Sequence, residues 1–166
     1  MEKFKVQAYF IALITALFFI ACSDGENFKS LDHKNYNFSY NGFEKTLKLN
    51  QKDENFALVF FTKDCGVCKE QIKILQQLIQ NYNFNVFVIL GDAKNLDDAK
   101  NWAKEKGLTQ LTLFYEKNAA KYLSDSIGSI YGVPVISFFE SGKMNKKFIG
   151  LTPYHILENE VKRIKN

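Results

Sequence analysis

Apolar residues along the chain fall into patterns that predict two central strands and the helix between them. Residues 56–61 form a continuous apolar run, and residues 84–90 form a second run that only Asn85 interrupts. Runs of this length are typical of strands that are buried on both faces. We expect a helix between these runs, ending near Tyr82, because apolar side chains recur there at the spacing of one helix face. These side chains are Cys68, Ile72, Leu75, Leu78 and Ile79.

The second half of the chain predicts helices alternating with strands. One predicted strand contains Pro134, which cannot donate to a strand ladder and must therefore face an open edge or a site. The order of elements predicts an α/β sandwich with a mixed central sheet flanked by helices. The predicted elements are helix, strand, helix, strand, strand and helix, over residues 95–106, 111–115, 118–131, 132–139, 146–149 and from Thr152-Pro153 onward.

An N-terminal β-hairpin is predicted ahead of the central strands. Residues 36–40 and 43–49 alternate apolar and polar side chains around Asn41-Gly42, a dipeptide typical of a two-residue hairpin turn. The preceding residues 22–34 are polar and show no periodicity. We expect them to form a tether that spans roughly 40 Å when fully extended. The predicted domain therefore covers residues 35–166.

The first 21 residues resemble a secretory signal peptide. Two early lysines precede an apolar run over residues 8–21, which is shorter than the ~20 residues of a membrane-spanning helix. Cys22 follows directly and resembles the lipidated cysteine of a bacterial lipobox, with Phe19 in place of the usual Leu. This implies an acylated Cys22 as the first mature residue; the alternatives are an uncleaved anchor, or a nearby cleavage that leaves Cys22 free. In each case we expect the domain in the bacterial envelope, facing the periplasm.

Composition indicates one globular domain and argues against nucleic acid as a partner. The chain has 166 residues, of which 46% are hydrophobic and 16 are phenylalanines, enough for a sizeable core. Its formal net charge is only +4, and lysines and glutamates are interspersed. A nucleic-acid-binding surface would need clustered basic residues, and the sequence shows no such stripe.

The candidate chemistry lies at Cys65-Gly66-Val67-Cys68, where the buried strand turns into the helix. Two cysteines three positions apart on the first helical turn can close a small disulfide loop. Cys65 also lies over the free N–H groups of the helix N-terminus, whose partial positive charge favours a thiolate. Because a thiolate is the species that attacks disulfides, this arrangement predicts redox activity.

Three other interpretations of the cysteine pair fit the sequence less well. A zinc site needs four ligands, and the remaining candidates Cys22, His33 and His155 are scattered along the chain. Covalent haem attachment requires a histidine directly after the second cysteine, where Lys69 stands. A purely structural disulfide over so short a loop would constrain the unfolded chain little. We therefore expect neither a metal nor a cofactor.

The cysteine pair after a buried strand, the later Val133-Pro134 and the N-terminal hairpin together resemble the thioredoxin superfamily. Within it they resemble the TlpA/ResA-like envelope thiol–disulfide oxidoreductases, as does the strand–helix material that places Pro134 66 positions after Cys68. The resemblance implies a cis peptide bond between Val133 and Pro134 beside the two sulfurs. It also implies that Val133 presents its backbone to a substrate polypeptide, which binds as a short extra strand. Val133 and Pro134 are thus the predicted substrate-binding residues.

Four positions depart from the family pattern. The residue before the first cysteine is commonly Trp and here is Asp64, and the second residue between the cysteines is often Pro and here is Val67. ResA-like members carry an acid where this chain has Gln71, and thioredoxins bury an acid where it has Val59. The missing buried acid removes the usual proton acceptor for the second cysteine, and whether the neighbouring Glu70 replaces it stays open.

Charged residues near the first cysteine should act on it in opposite directions. Asp64 should oppose ionisation of Cys65, whereas Lys63 and Lys69 should favour it. The sequence alone therefore leaves the redox tuning of the pair open.

The resemblance implies a membrane-anchored thiol–disulfide oxidoreductase that acts on extracytoplasmic proteins. Cys65 would attack a substrate disulfide, and Cys68 would resolve the mixed disulfide. By analogy with the hairpin-bearing branch we expect the reducing direction, for example on apocytochrome cysteines in cytochrome c maturation, with a membrane or soluble electron-transfer partner. The alternatives are an oxidant that donates disulfides, a Sco-like copper chaperone with His155 as an additional ligand, and a binding scaffold with an inert disulfide.

Overall fold

The buried run Phe56–Phe61 forms a central strand of an eight-stranded mixed sheet. The computed structural model describes residues 25–128 and 130–165. The strands β1 to β8 cover Glu26–Lys29, Asn35–Asn41, Thr46–Leu49, Phe56–Phe61, Val86–Leu90, Thr112–Phe114, Val135–Glu140 and Lys143–Ile149. The helices α1 to α4 cover Gly66–Tyr82, Leu96–Glu105, Lys117–Ser126 and Tyr154–Lys165. The strand order in the sheet is β1-β2-β3-β8-β7-β4-β5-β6.

Strand β4 is buried on both faces of the sheet, and none of its side chains is more than 4% exposed. It pairs in parallel with β5 and antiparallel with β7, and β5 pairs in parallel with β6. Helices α1, α2 and α4 build the core on one face, while α3 and the side chains of β1 to β3 contribute to the core on the other. The predicted α/β sandwich with a mixed sheet is confirmed.

Of the helices in the described residues, none is long and apolar enough to cross a bilayer.

The predicted N-terminal hairpin is confirmed as β2 and β3, but its turn is longer than predicted. Asn41 pairs with Thr46, so four residues rather than two connect the strands. The side-chain oxygen of Asn41 accepts hydrogen bonds from the backbone N–H groups of Phe43 and Glu44 at 3.0 and 3.1 Å. This local turn, closed by an asparagine side chain, replaces the tight turn. Phe43 is consequently 97% exposed instead of joining the strand.

The tether predicted over residues 22–34 is wrong at residues 26–29. Glu26–Lys29 forms β1, which pairs antiparallel with β2 and is the edge of the sheet. Phe28 is 2% exposed, and its ring centroid lies 5.4–6.4 Å from those of three other aromatic side chains. Because β1 has four residues and buries only one of them, it left no periodic signal in the sequence.

The predicted signal peptide, residues 1–21, and the predicted lipidation site Cys22 lie outside the described residues.

Two predicted elements in the second half of the chain have different ends. The helix predicted over residues 118–131 is α3, which ends at Ser126, and Gly128 just beyond it adopts a positive φ of 74°. Pro134 precedes β7 and does not lie within the strand predicted over residues 132–139. Because Pro134 lies before the strand, its lack of an N–H group removes no hydrogen bond from the strand ladder. Strand β8 begins three residues earlier than predicted.

Replacing Phe28 by alanine should destabilise the protein strongly. Removal of a buried ring leaves a cavity, so we expect Phe28→Ala to lower the free energy of unfolding by about 3–5 kcal/mol. Urea unfolding of the full chain measures this change.

The matched control is Phe43→Ala, which removes the same side chain from an exposed position in the neighbouring hairpin. Its effect should stay within about 0.5 kcal/mol. Similar effects of the two substitutions would contradict the packing of β1 into the core.

Candidate active site

Strand β4 leads to the start of α1, where both cysteines lie. Cys65 is the N-cap residue of α1, with φ −88° and ψ 105°, and Cys68 follows in the first turn. The backbone N–H of Cys68 donates to Sγ of Cys65 at 3.2 Å. The two side chains form a disulfide, with 5.3 Å between their Cα atoms. The Cys65 sulfur therefore lies at the positive end of the helix.

The two sulfurs differ in their accessibility. Cys68 is 2% exposed and belongs to the core between α1 and the sheet. Cys65 is half-buried and packs against the edge of the same core. A partner molecule therefore reaches Cys65 first. This is consistent with the predicted order of attack, Cys65 before Cys68, which remains a prediction.

A second loop brings Val133 and Pro134 to the disulfide. The peptide bond between them is cis, which confirms the prediction. The carbonyl oxygen of Val133 lies 3.8 Å from Sγ of Cys65. Pro134 is buried, and its carbonyl accepts a hydrogen bond from the N–H of Gly150 at 2.8 Å, which ties the loop to the end of β8. The predicted substrate-binding residues thus lie next to the accessible sulfur, and their binding role remains a prediction.

Asp92, which the sequence interpretation did not single out, holds the loop that leads to Cys65. Both carboxylate oxygens of Asp92 accept hydrogen bonds from the backbone N–H of Lys63 at 3.0 Å. Asp92 follows β5, and the carboxyl ends of the parallel strands β4 and β5 meet at one edge of the sheet. An acidic residue shortly after a buried strand was the only sequence signal for this contact.

The lysine closest in sequence to Cys65 is already paired. Lys63 Nζ donates to a carboxylate oxygen of Asp98 at 2.6 Å, with the side chains 22% and 28% exposed. This hydrogen bond, with a second one from the backbone N–H of Lys94 at 2.8 Å, lowers the pKa of Asp98 below its ordinary value. The same pairing raises the pKa of Lys63. Because the Asp98 carboxylate offsets the positive charge of Lys63, this lysine stabilises a thiolate at Cys65 less than the sequence indicated.

A neutral side chain occupies the position of the ResA-like acid. Gln71 is fully buried, its Oε1 accepts from the N–H of Thr152 at 2.7 Å, and its Nε2 donates to the carbonyl of Thr152 at 3.3 Å. These bonds join α1 to the segment before α4. Glu70 is 60% exposed and pairs with Lys73 at 3.0 Å. No Asp or Glu of the described residues is buried, so a reduced Cys68 has no buried carboxylate to accept its proton.

The histidines do not join the cysteines. His155 is exposed on α4, and His33 lies in the turn between β1 and β2. Within residues 25–128 and 130–165, no three His, Cys, Asp or Glu side chains are grouped so that they could hold a metal ion. No observation therefore favours the copper-chaperone alternative.

Known structures share this architecture. The MTB protein dsbF superposes with a TM-score of 0.65 at 12% identity, over 85% of this chain and 96% of that chain. A secreted Mycobacterium tuberculosis disulfide oxidoreductase, described as homologous to E. coli DsbE, gives 0.62 at 12% identity, over 83% and 95%. The exposed lipoprotein thioredoxin Etrx1 of Streptococcus pneumoniae gives 0.64 at 16% identity, over 83% and 98%. The predicted thioredoxin-like fold is thus confirmed.

A comparison with protein-family models identifies the family. The model of TraF, the F plasmid transfer operon protein, matches residues 31–114, which make up half of the chain and include both cysteines. The chain belongs to this TraF family, which is itself thioredoxin-like. No curated protein sequence matches the chain.

Asp98 should make the stability of the fold sensitive to acid. Because its pKa is lowered in the folded chain, its stabilising contribution is present above the unfolded value of about 3.9 and is lost as the pH falls through the folded value. We expect the free energy of unfolding of Asp98→Asn to decrease less than that of the wild type between about pH 5 and pH 2, as measured by urea unfolding.

Asp97→Asn provides the control, because Asp97 is exposed in the same first turn of α2. It should keep the acid dependence of the wild type. An acid dependence shared by Asp98→Asn and Asp97→Asn would show that the contact between Lys63 and Asp98 does not contribute.

Proposed function

We propose that the protein is a thiol–disulfide oxidoreductase that reduces disulfides of polypeptides outside the cytoplasm. One observation carries the proposal: a half-buried sulfur at a helix N-terminus, disulfide-bonded to a buried partner, lies 3.8 Å from the carbonyl of Val133. The thioredoxin-like fold and relatives that are described as disulfide oxidoreductases support it.

The reaction begins from the reduced pair. The Cys65 thiolate attacks one sulfur of a substrate disulfide, the substrate bond breaks, and the leaving thiolate takes a proton from solvent. The Cys68 thiolate then attacks Cys65 in the mixed disulfide and releases the second substrate thiol. Two electrons pass from the protein dithiol to the substrate, and the protons lost by the protein thiols and gained by the substrate thiols exchange with solvent. Cys65 and Cys68 are left in the disulfide form seen here. An electron-donating dithiol protein restores the reduced pair.

Substrate docking uses the loop beside the disulfide. An extended substrate segment forms backbone hydrogen bonds with Val133 and places its own disulfide next to Cys65. The half-buried position of Val133 and the contact of its carbonyl with Sγ of Cys65 support this arrangement. Reduction of apocytochrome cysteines before haem attachment is one reaction of this class, and it rests on analogy with the TlpA/ResA-like branch.

The location is part of the proposal. The protein is an envelope lipoprotein with an acylated Cys22, which the sequence of the first 22 residues supports. Two structural relatives are described as secreted and as an exposed lipoprotein. Mass spectrometry of the N-terminal peptide from membrane fractions tests this location, since an intact leader sequence there would refute it.

Cys68→Ser should trap the mixed disulfide, because no second thiol remains to release the substrate. Cells expressing this variant, quenched with acid and alkylated, should show adducts on non-reducing gels that a reductant removes. Cys65→Ser is the control and should form few adducts, because its remaining thiol is buried. Equal adduct levels in both variants would contradict the proposed order of attack.

The reduction potential of the full chain should identify the direction of electron flow. Equilibration with dithiothreitol or glutathione buffers should give a value near that of thioredoxin, about −270 mV, or lower. A value near that of DsbA, about −120 mV, would instead make the protein a disulfide-donating oxidant.

A further inference from the structure

An apolar groove of about 440 Å³ adjoins the disulfide through Val133. Phe60 and Phe61 at the end of β4 are buried beneath it, and Ala120 of α3 and Ile130 of the following loop line it as half-buried side chains. The volume falls within the range of ligand-binding clefts, roughly 300–1,000 Å³. The groove is therefore large enough to receive an apolar side chain of a bound polypeptide.

Val133 connects this groove with the redox centre. Its side chain packs against the core on both faces of the sheet, whereas Cys65 packs against the α1 face only. Phe60 and Ala120 belong to the α3 face. A chain segment that pairs with the Val133 backbone can therefore present its cysteine to Cys65 and a neighbouring side chain to the groove.

Within the described residues, one of the lysines that line the groove has no oppositely charged partner. Lys117 and Lys121 of α3 and Asp92 after β5 line it. Asp92 accepts two hydrogen bonds from the backbone N–H of Lys63. Lys121 pairs with Asp125 at 2.6 Å. The side chain of Lys117, by contrast, has no hydrogen-bond or ion-pair partner in the part of the chain that the structure describes.

We propose that this groove selects the substrate. It receives an apolar side chain that lies close to the substrate's disulfide cysteine, and Lys117 contacts an acidic residue beside that side chain. The proposal rests on the proposed oxidoreductase function and specifies its substrates as polypeptides with an apolar and an acidic residue flanking the cysteine. Burial of the side chain provides affinity, and the lysine provides charge preference.

Three short peptides test the selection. Each contains one cysteine in a mixed disulfide with mercaptoethanol; the first has Glu-Leu before the cysteine, the second Glu-Ser and the third Lys-Leu. The full chain is reduced, and the rate constant of reduction is measured for each peptide. Each rate is divided by the rate of the same protein with oxidised mercaptoethanol, which carries neither feature.

The Glu-Leu peptide should react fastest. Loss of the apolar side chain should lower the normalised rate by about tenfold, which is part of the burial free energy of a leucine. Reversal of the charge should lower it by about threefold, in the range of exposed ion pairs.

Substitutions in the groove should change these preferences. Lys117→Glu should reverse the preference between the Glu-Leu and Lys-Leu peptides, and Ala120→Phe, which fills the groove, should remove the preference for leucine over serine. Lys143→Glu makes the same charge change at the opposite end of β7 and β8 and should keep the wild-type preferences.

Two sets of outcomes distinguish a failure of the groove inference from a failure of the proposed function. If the wild type reduces oxidised mercaptoethanol but treats the three peptides alike, or if Lys117→Glu leaves the charge preference unchanged, the groove inference is wrong and the oxidoreductase function stands. If the reduced chain reacts with none of the disulfides, both are wrong.

Discussion

The site depends on the parallel pairing of β4 with β5, because this pairing fixes the edge of the sheet at which the chain turns into α1. Both strands are buried on both faces, so the hydrophobic effect holds them at the centre of the fold. Their carboxyl ends place Cys65 and Asp92 at one edge. Strand β7 runs antiparallel to β4 and therefore begins at that same edge, which brings Val133 to the sulfur. Three segments remote in sequence thus meet at the disulfide.

Within this frame, backbone groups act on the reactive sulfur more directly than charged side chains. The N–H of Cys68 donates to Sγ of Cys65, whereas the ammonium group of Lys63 is held by Asp98. On the buried side, Gln71 is engaged with backbone atoms and provides no acid. We infer that the helix N-terminus is the main factor favouring a thiolate at Cys65, and that deprotonation of Cys68 relies on solvent or on the substrate.

The two sides of the Cys65 sulfur also differ in polarity. On the α2 side lies a groove of about 500 Å³ that contains Lys63, Asp98 and other charged side chains, and on the α3 side lies the apolar groove below Val133. A polypeptide that crosses Cys65 therefore meets a polar and an apolar environment on its two sides. Such asymmetry can orient a bound chain, because burying apolar groups and solvating charged ones favour one direction of binding over the other.

The sequence by itself determined the features that local pattern encodes. Continuous apolar runs predicted β4 and β5, helical spacing predicted α1, and the position of Cys65 between β4 and α1 placed the chemistry at a helix N-terminus.

The tertiary structure alone decided the contacts between distant residues. These are Phe28 in the core, Asp92 with the Lys63 backbone, Asp98 with the Lys63 side chain, and Gln71 with Thr152, 81 positions away. Periodicity reports only which face of an element is buried, so a single polar side chain carries no sign of the partner that folding brings to it.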